Sequence, residues 1–540
     1  MKKRYSRQLV SILMLLFMVF SAAGCGQSAT PASKTPAPSG SSATSSAAPE
    51  KDPYEGLPRE VSVMIFDRGT VPPEKGTYES NDVTQWINEN SPLDKVTFVA
   101  VPRWEVGKTT QVWLASNSAP DIIMDFDLNA IATYAKQGSL MEVSGLLDSY
   151  GSNIRSITPE DVRETGLIDG VEYGIPQIRP ETKQVNWMAY IRQDWLDNLG
   201  LKMPATQDEL TEVLRAFSED DPDGNGQKDT YGMDLAWIGT GLVNNMFGVM
   251  SDWLPNASGD LELNTVHENF RAATRYKKEL YDKKYVDPEF VTHNAEKVQQ
   301  DFVSGKTGIL ACGYNYLTNI YDTIKTGNPN AVIAPMPLPS SSVGQYGYFK
   351  EPPCFFVNAI TTSCKNPKAA VEYLDWMISE GWSTVKYGTD EMGYYSLVDG
   401  VYAATDKLTS DVEKLEMTYR SEYAILTNEF ISASDYMKIY ASADASIQAV
   451  KSIEAKALEV SLAVPFTRYL PTRVMGLQEA VDFFTSIGTF ADDTYLKAVI
   501  SGNSYTAEQA YQDVVSEYKN QGYENVKGKI NEIYKANYKK

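Results

Sequence analysis

Short β-rich runs alternate with helical stretches along the early part of this chain. The runs are Val61–Phe66, Val96–Val101 and Asp121–Met124, each bounded by turn residues. Helical patterns lie between them, at Asn81–Asn90 and Thr109–Ser116. Because alternating strands and helices build a mostly parallel sheet with helices on its faces, the pattern predicts an α/β fold.

Ligands of such sheets bind beside the carboxyl ends of the strands. Asp67 directly follows the first run, and Asp125 and Asp127 follow the third. Their position at strand ends makes these three aspartates candidates for contact with a ligand. Gly107 and Lys108 resemble the end of a phosphate-binding loop, but the earlier glycine of that motif is absent, so we interpret them as a helix start.

Length and charge limit the function further. The chain has 540 residues, which predicts two or three folded units because single cores rarely exceed about 250–300 residues. Its net charge of −21 argues against a nucleic-acid-binding protein, which needs clustered basic charge. The only histidines, His267 and His293, exclude a multi-histidine metal site and leave little room for histidine-based catalysis.

The first 25 residues have the layout of a secretory signal: a basic start, an apolar run from Leu9 to Phe20 and a small-residue exit. Ala22–Cys25 resembles a bacterial lipoprotein box, in which the thiol is diacylated and becomes the new N-terminus. The resemblance implies lipidation at Cys25 and an anchor on the extracytoplasmic face of the cell membrane. A chain starting there carries −25, because four cations and no acids precede it.

Residues 26–56 begin as a tract of Ser, Ala, Thr, Pro, Gly and Lys, which cannot bury enough surface to fold. We predict a disordered linker between the membrane and the folded part. No later apolar run approaches the roughly 20 residues of a transmembrane helix. Three cysteines remain after Cys25, so at least one lies outside any disulfide, and whether Cys354 pairs with Cys364 stays open.

One loop has the spacing of a calcium site. Gly226 stands where such a loop must turn sharply, but Gly232 replaces the bidentate Glu of an EF-hand. Glu219, Asp220 or a remote acid would have to complete the shell, and an Asp/Gly-rich turn without metal is the alternative. The predicted ligands of this loop, residues 221–229, are Asp221, Asp223, Asn225, the backbone carbonyl of Gln227, and Asp229.

Three later helices have recognisable starts. Thr206 and Thr506 each open a capping box. Asn366 is a favourable cap for a helix that begins at Pro367, and Gly381 is positioned to end that helix.

Several segments resemble those of a known family, in order and over nearly the whole chain. They are Asp121–Met124 with Ala135–Glu142, Asp169–Pro176, Tyr190–Gly200 followed by the calcium loop, Gly305–Gly308, Asn366–Trp376 and Gly388–Tyr394. From about residue 57 onward, the chain resembles the family 1 extracellular solute-binding proteins, in the long lipoprotein branch that serves carbohydrate ABC importers. Similar alginate-oligosaccharide-binding proteins hold calcium in a related loop.

The resemblance implies a two-lobed, periplasmic-binding-protein-like α/β fold of type II, with the ligand gripped between hinged lobes. It implies a monomeric binding protein rather than an enzyme, an oligosaccharide ligand, permease subunits of an ABC importer as partners, and a structural Ca²⁺. The implied N-terminal lobe is 57–172 with 356–400, and the C-terminal lobe is 173–355 with 401–540. The implied crossings between the lobes lie near 168–176, 355–360 and 395–405.

A sugar offers an apolar face to flat aromatic rings and a hydroxyl rim to charged or amide groups. The chain has 9 Trp and 33 Tyr, which is a generous supply of such rings. Arg192 is suited to adjacent hydroxyls or an acidic sugar, although a structural salt bridge is the alternative. Besides Arg192 and the three strand-end aspartates, family position implies Trp187, Tyr190, Asp390 and Tyr394 as ligand candidates. Trp237, Trp253 and Tyr314 are further candidates because they lie in irregular segments of the implied second lobe.

Two other functions stay open on the sequence alone. One is an exported glycan-processing enzyme, which the lack of a recognisable catalytic motif disfavours. The other is a lipoprotein of the same fold that binds a peptide or another solute. Turnover of a bound oligosaccharide would identify the first, and neighbouring permease genes would favour import.

Overall fold

The computed structural model describes residues 52–185, 187–408, 411–464 and 477–538. The signal segment, Cys25 and most of the linker lie outside the described residues, so their predicted roles stay predictions. The chain divides into two units, Met1–Glu55 and Gly56–Lys540, and the described helices and strands belong to the second. Within the described ranges, the helices are too short or too polar to cross a bilayer.

The described strands are numbered in chain order. They are β1 Glu60–Asp67, β2 Lys95–Pro102, β3 Ile122–Asp125, β4 Leu167–Ile168, β5 Val171–Glu172, β6 Gly174–Ile178, β7 Met188–Arg192, β8 Tyr231–Met233, β9 Trp253–Pro255, β10 Leu261–Leu263, β11 Thr307–Cys312, β12 Ile333–Met336, β13 Cys354–Ile360, β14 Tyr395–Val398 and β15 Val401–Ala404.

The described α-helices are numbered in the same way. They are α1 Asp82–Asn90, α2 Val106–Ala115, α3 Leu128–Lys136, α4 Ser144–Tyr150, α5 Ser152–Ile157, α6 Glu160–Arg163, α7 Gln193–Leu199, α8 Gln207–Glu219, α9 Gly239–Met246, α10 Glu268–Asp282, α11 Ala295–Val303, α12 Leu317–Gly327, α13 Pro367–Trp376, α14 Trp382–Tyr387, α15 Asp411–Ser421, α16 Ala445–Leu462, α17 Gln478–Ile487, α18 Phe490–Ile500, α19 Ala507–Asn520 and α20 Tyr523–Tyr538.

The first large sheet has the strand order β2-β1-β3-β13-β6. Strands β1, β2 and β3 are parallel, and they are the three runs predicted from sequence. Strand β13 is antiparallel to both β3 and β6, so it begins where its neighbours end. The ends of β1, β2, β3 and β6 and the start of β13 therefore share one edge, which we call the first edge.

The second large sheet has the order β12-β7-β11-β8. Strand β11 is parallel to β8, whereas β7 is antiparallel to both β11 and β12. The ends of β8, β11 and β12 and the start of β7 therefore share one edge, which we call the second edge. Together with the covering helices, the two sheets confirm the predicted two-lobed α/β fold.

Buried apolar side chains form two separate clusters, one around each sheet, and these clusters define the lobes. The first lobe draws on 61–178, 354–385 and 419–426, and the second on 185–348 and 436–530. Two segments lie in a different lobe from the one implied by the family resemblance. Strand β6 pairs with β13 in the first sheet, and residues 419–426 pack into the first core.

Three crossing segments join the lobes, and they are hydrogen-bonded to one another. The Arg179 amide donates to the Pro353 carbonyl at 2.8 Å, and the Thr182 amide donates to the Ile431 carbonyl at 3.4 Å. The crossings therefore form one bundle. Each crossing lies at a different position from the one that the family resemblance implies. They comprise residues 179–184, 349–353 and 427–435.

The predicted helix starts are confirmed, but one predicted end is wrong. Thr206 and Thr506 form capping boxes, and the Asn366 side chain caps α13. Gly381 does not end that helix, because a π-helical turn leads directly into α14. A Cβ on Gly381 would come within 2.8 Å of the Trp376 ring, so the glycine permits close packing instead. Elsewhere in the first lobe, Cys354 and Cys364 are buried and form no disulfide with each other.

Candidate functional site

Chain connections link the two sheet edges directly. One crossing runs from the end of β6 to the start of β7, which connects the first edge directly to the second. Another leads from the end of β12 back to the start of β13. Side chains at both edges are thus gathered around the crossing bundle, and we call this region the cleft.

A cavity of about 210 Å³ opens on the first edge. The residues that form it come from the ends of β1, β3 and β6, the start of β13, helix α14, and the end of α15 with the segment that follows it. The wall combines cations, carboxylates and aromatic rings. Its principal wall residues are Arg68, Phe126, Phe356, Lys386, Glu422 and Glu429.

Each cation of this wall already has an acidic partner. The Arg68 guanidinium forms an ion pair with Glu422, and Lys386 Nζ lies 2.6 Å from a Glu429 carboxylate oxygen. The Tyr387 hydroxyl also donates to Glu429. Burial raises the pKa of Glu422, although Arg68 favours its charged form. The wall is therefore polar and internally balanced, which suits hydrogen-bonding to a hydroxyl-rich solute.

An exposed tryptophan stands beside this cavity. Trp104 follows β2 and is 91% exposed, while the Arg103 guanidinium lies 5.2 Å from its ring and 4.4 Å from the Phe126 ring. Phe126 in turn stacks on Phe66 at 4.7 Å. Sequence reasoning missed Trp104, because it considered the ends of the first and third strands and not the end of the second.

The three predicted aspartates lie at the first edge, but each has a local role. An Asp67 oxygen accepts from the Gly69 amide at 2.7 Å and shapes a turn. Asp127 caps α3 by accepting from the Asn129 amide at 2.9 Å. Asp125 is buried, and one of its oxygens has no hydrogen-bond partner among the described residues. Burial raises the pKa of Asp125 to about 6.

Aromatic rings form a cluster at the second edge. Trp187 and Trp237 meet edge to face with centroids 6.4 Å apart, and Tyr316 lies 6.2 Å from Trp237. Trp237 is 38% exposed and has a φ of 53°, a left-handed conformation that costs of order 1–3 kcal/mol for a bulky residue. Sequence reasoning found the two tryptophans but not Tyr316, which lies two residues after the candidate Tyr314.

Four other ligand candidates are enclosed in the second core. The Tyr190 hydroxyl donates to the Tyr314 carbonyl, and both side chains are buried. Arg192 is buried in an ion pair with Asp194 at 2.6 Å, which is the structural alternative considered from sequence. Trp253 is also fully buried. Their enclosure leaves no face open to a solute, so they belong to the packing of the lobe.

The last two candidates lie in the turn between α14 and β14. Asp390 is exposed, and Tyr394 is partly exposed while its carbonyl accepts from the Thr405 amide at 2.9 Å. The described wall of the first-edge cavity includes neither residue.

The first crossing segment carries a cation that sequence reasoning also missed. Lys183 is exposed, and no ion pair of its ammonium is present in the described ranges. The pKa of Lys183 is lowered, first because neighbouring protein displaces water and then because Lys386 repels it. Glu429 acts in the opposite direction. Lys183 is thus close enough to Lys386 and Glu429, two wall residues of the first-edge cavity, for their charges to act on it.

The predicted calcium loop brings its oxygen ligands together. The Asn225 side-chain amide donates to Asp223 at 3.0 Å and to Asp229 at 3.4 Å, so these carboxylates approach the same point. Asp221 accepts from the Gly226 amide at 2.9 Å. The loop turns through glycines with positive φ, as its spacing predicts.

The donor set of this loop fits a hard cation. The pKa of Asp223 is raised, chiefly by desolvation and further by the neighbouring acids. The Gln227 backbone amide donates to the Asn225 side-chain oxygen at 2.7 Å. Glu219 and Asp220, considered from sequence as further ligands, instead contact Arg215 at 3.3 and 2.8 Å. The remaining ligands of a calcium shell would therefore come from elsewhere.

A second group of acids lies inside the same lobe, where sequence reasoning did not find it. The ligand atoms of Asp234, Asp287, Asp301 and His293 all lie within 4.8 Å of one another. His293 Nδ1 is 2.6 Å from Asp234, and Lys306 Nζ is 2.6 Å from Asp287 and 3.5 Å from Asp301. The lysine compensates the acids, so the group forms an ion network without needing a metal.

Comparison with known proteins places these features in a family context. A family model described as bacterial extracellular solute-binding protein matches residues 77–383. Among curated Bacillus subtilis relatives, the polygalacturonan/rhamnogalacturonan-binding protein YtcQ is 31% identical over 39% of this chain and 41% of its own length. Lipoprotein LipO is 32% identical over 44% of this chain and 45% of its own length. Both matches thus span less than half of the relative.

Solved structures share the fold over a longer stretch. An HMO-binding, ABC-transporter-associated solute-binding protein from Bifidobacterium longum infantis superposes with a TM-score of 0.69, at 17% identity, over 89% of this chain and 99% of its own. Alginate-binding protein AlgQ2, solved without calcium ion, gives 0.61 at 18% identity over 88% and 97%. At these identities the likeness concerns the fold alone.

Proposed function

Since the chain belongs to the family of bacterial extracellular solute-binding proteins, we propose that it binds an oligosaccharide in its cleft and delivers it to an ABC importer. The observation that carries this proposal is the meeting of two sheet edges around the crossing bundle. One edge presents paired charges, and the other presents aromatic rings. Relatives named for polygalacturonan and HMO binding support a carbohydrate ligand.

The proposed contacts divide between the two edges. Trp237, with Trp187 and Tyr316, offers flat rings for the apolar face of a sugar. At the first edge, Trp104 offers a further ring and Arg68 a hydrogen-bond donor for hydroxyl or carboxylate groups. Lys183, in the first crossing segment, offers another donor. The solute is held without chemical change, so the protein acts as a carrier and not as an enzyme.

Closure of the lobes would couple binding to delivery. A ligand favours the closed state only if it contacts both edges there, because a ligand that binds both states equally shifts nothing. The crossing bundle is the proposed hinge, since it contains the connections between the two cores. The importer permease would then recognise the closed arrangement.

The anchor and the metal belong to the same proposal. A diacylated Cys25 would hold the protein, as a monomer, on the outer face of the cell membrane, with residues 26–56 as a tether. The relative LipO is named a lipoprotein. Asp221, Asp223, Asn225, Gln227 and Asp229 would hold a Ca²⁺ that stabilises the exit of α8.

Titration calorimetry with oligogalacturonides, fructooligosaccharides and alginate oligosaccharides tests the ligand proposal. Trp237→Ala should weaken the binding of whichever oligosaccharide binds by about tenfold, equivalent to about 1.4 kcal/mol. Phe490→Ala is the matched control, because Phe490 is a similarly exposed aromatic residue in the second lobe outside the aromatic cluster. Unchanged affinity in Trp237→Ala, or conversion of the sugar, would overturn the proposal.

A further inference from the structure

A second cavity lies among α9, α10 and α18 in the second lobe. Its volume is about 370 Å³, within the range of small-molecule sites. None of the three second-edge aromatic residues lines it. Most of the wall is apolar, and the principal apolar residues are Leu235, Phe270, Phe290, Leu496 and Val499.

A buried lysine supplies the charge of this cavity. Lys277 is only 6% exposed, and its ammonium donates to the Asn244 side-chain oxygen at 2.6 Å. The same ammonium lies 5.5 Å from the centroid of the Phe270 ring. No carboxylate lies within 4.0 Å of it in the described part of the chain. An ammonium has three donors, so Lys277 can bind further acceptors.

The nearest acidic influence comes from the cavity wall. Asp492 is exposed and acts on Lys277 through space rather than by an ion pair. Burial lowers the pKa of Lys277 to about 8, while Asp492 acts to raise it. A charged lysine in this position is therefore incompletely compensated by the protein.

We propose that this cavity is a second binding site, which takes a small organic carboxylate with an apolar body. The apolar walls remove hydrocarbon from water, and the carboxylate pairs with the ammonium of Lys277 in a charge-assisted hydrogen bond. A neutral apolar molecule would leave the ammonium uncompensated. An inorganic anion would leave the apolar walls unused. The inference concerns a site outside the proposed oligosaccharide contacts.

Calorimetric titration of the intact protein with benzoate, and with benzamide as its uncharged counterpart, tests this inference. Benzoate should bind at least tenfold more tightly than benzamide. Lys277→Met keeps the apolar stem but removes the charge, so it should weaken benzoate at least tenfold and leave benzamide unchanged. Equal binding of benzoate to both proteins, or no binding to the wild type, would overturn the inference.

Two variants on other wall residues make the test independent of how Lys277→Met folds. Leu496 is partly exposed, so Leu496→Trp should fold and block benzoate by filling the cavity. Val481→Trp adds the same bulk at an exposed position outside this wall and should change nothing. Asp492→Asn removes a competing negative charge and should strengthen benzoate severalfold. Weaker binding in Asp492→Asn, or normal binding in Leu496→Trp, would contradict the proposed site.

Discussion

Two groups of carboxylates in the second lobe differ in how their negative charge is compensated. Asp221, Asp223 and Asp229 share an exposed loop, in which no basic side chain contacts them within the described residues. The other group is buried and has the Lys306 ammonium between Asp287 and Asp301. The buried network therefore carries its own counter-charge, whereas the loop would take its counter-charge from solution if the proposed calcium binds.

The largest expected effect on stability comes from removing Lys306, the counter-charge inside the buried network. Lys306→Met would leave the nearly inaccessible Asp287 carboxylate without its cation, which typically costs about 3–5 kcal/mol, while Asp301 keeps its ion pair with Lys297. We expect the free energy of unfolding, measured with urea, to fall by about that amount. The buried network would then be shown to depend on its own lysine.

A surface ion pair provides the matched control for Lys306→Met. Lys283→Met removes a lysine that pairs with Glu279 on an exposed helix face, where both side chains contact water. The expected loss is below about 0.5 kcal/mol. Similar losses in the two variants would contradict the contrast drawn between the groups.

The next effect on stability comes from removing calcium, the proposed counter-charge of the loop. At free calcium of about 100 times its dissociation constant, the loop should add about 2.7 kcal/mol to the free energy of unfolding. A chelator should remove that gain, as a fall in melting temperature. Lys306→Met should show the same calcium response as the wild type, because its network is separate. A melting temperature indifferent to calcium and chelator would refute the metal proposal.

Asp125 extends the comparison to a third kind of carboxylate. It is buried, no cation among the described residues acts on it, and it lies outside the calcium loop. Its folded pKa of about 6 exceeds the usual 3.8 of an aspartate, so the folded chain holds a proton that the unfolded chain releases. Its contribution to stability is therefore present below about pH 4 and is lost as pH rises through 6. Asp125→Asn should gain about 3 kcal/mol over the wild type at pH 7 and only about 0.5 kcal/mol at pH 4. A constant difference between the two proteins across this range would contradict the assignment.

The smallest effect concerns the loop in the absence of calcium. The raised pKa of Asp223 reflects desolvation and two acidic neighbours, so neutralising it should relieve repulsion. Asp223→Asn in chelator should gain about 0.5 kcal/mol, in keeping with exposed charges. The same variant with calcium should lose part of the metal-dependent gain. Melting curves with and without calcium would show both, and a loss of stability in chelator would contradict the repulsion.

The same contrast explains how much of the two acidic groups could be predicted from sequence. The calcium loop is contiguous, so its spacing was visible, and its glycines have the expected positive φ. The buried network joins residues from Asp234 to Asp301, and only the packed lobe brings them together. Charge compensation by Lys306 likewise depends on tertiary contacts and has no local pattern.

Prediction of the cleft residues from sequence was limited in a similar way. The predicted strands end within one residue of the observed ones, so the aspartates lie at the first edge as expected. Exposure was not predictable residue by residue, because Trp253 and Trp237 have the same side chain and similarly irregular sequence surroundings, yet Trp253 is buried in β9 and Trp237 is 38% exposed. Helix ends were also uncertain, because they depend on tertiary packing. Gly381 allows close packing against Trp376 and does not end α13.

The order of strands in the first sheet also affects how the protein is made. Strand β13 lies between β3 and β6, yet it is synthesised almost 180 residues after Ile178. The central pairing of that sheet cannot form until residue 360 has left the ribosome, and its core still requires 419–426. A nascent chain would therefore remain incompletely folded through much of translation. Late folding of the first lobe follows from the topology itself.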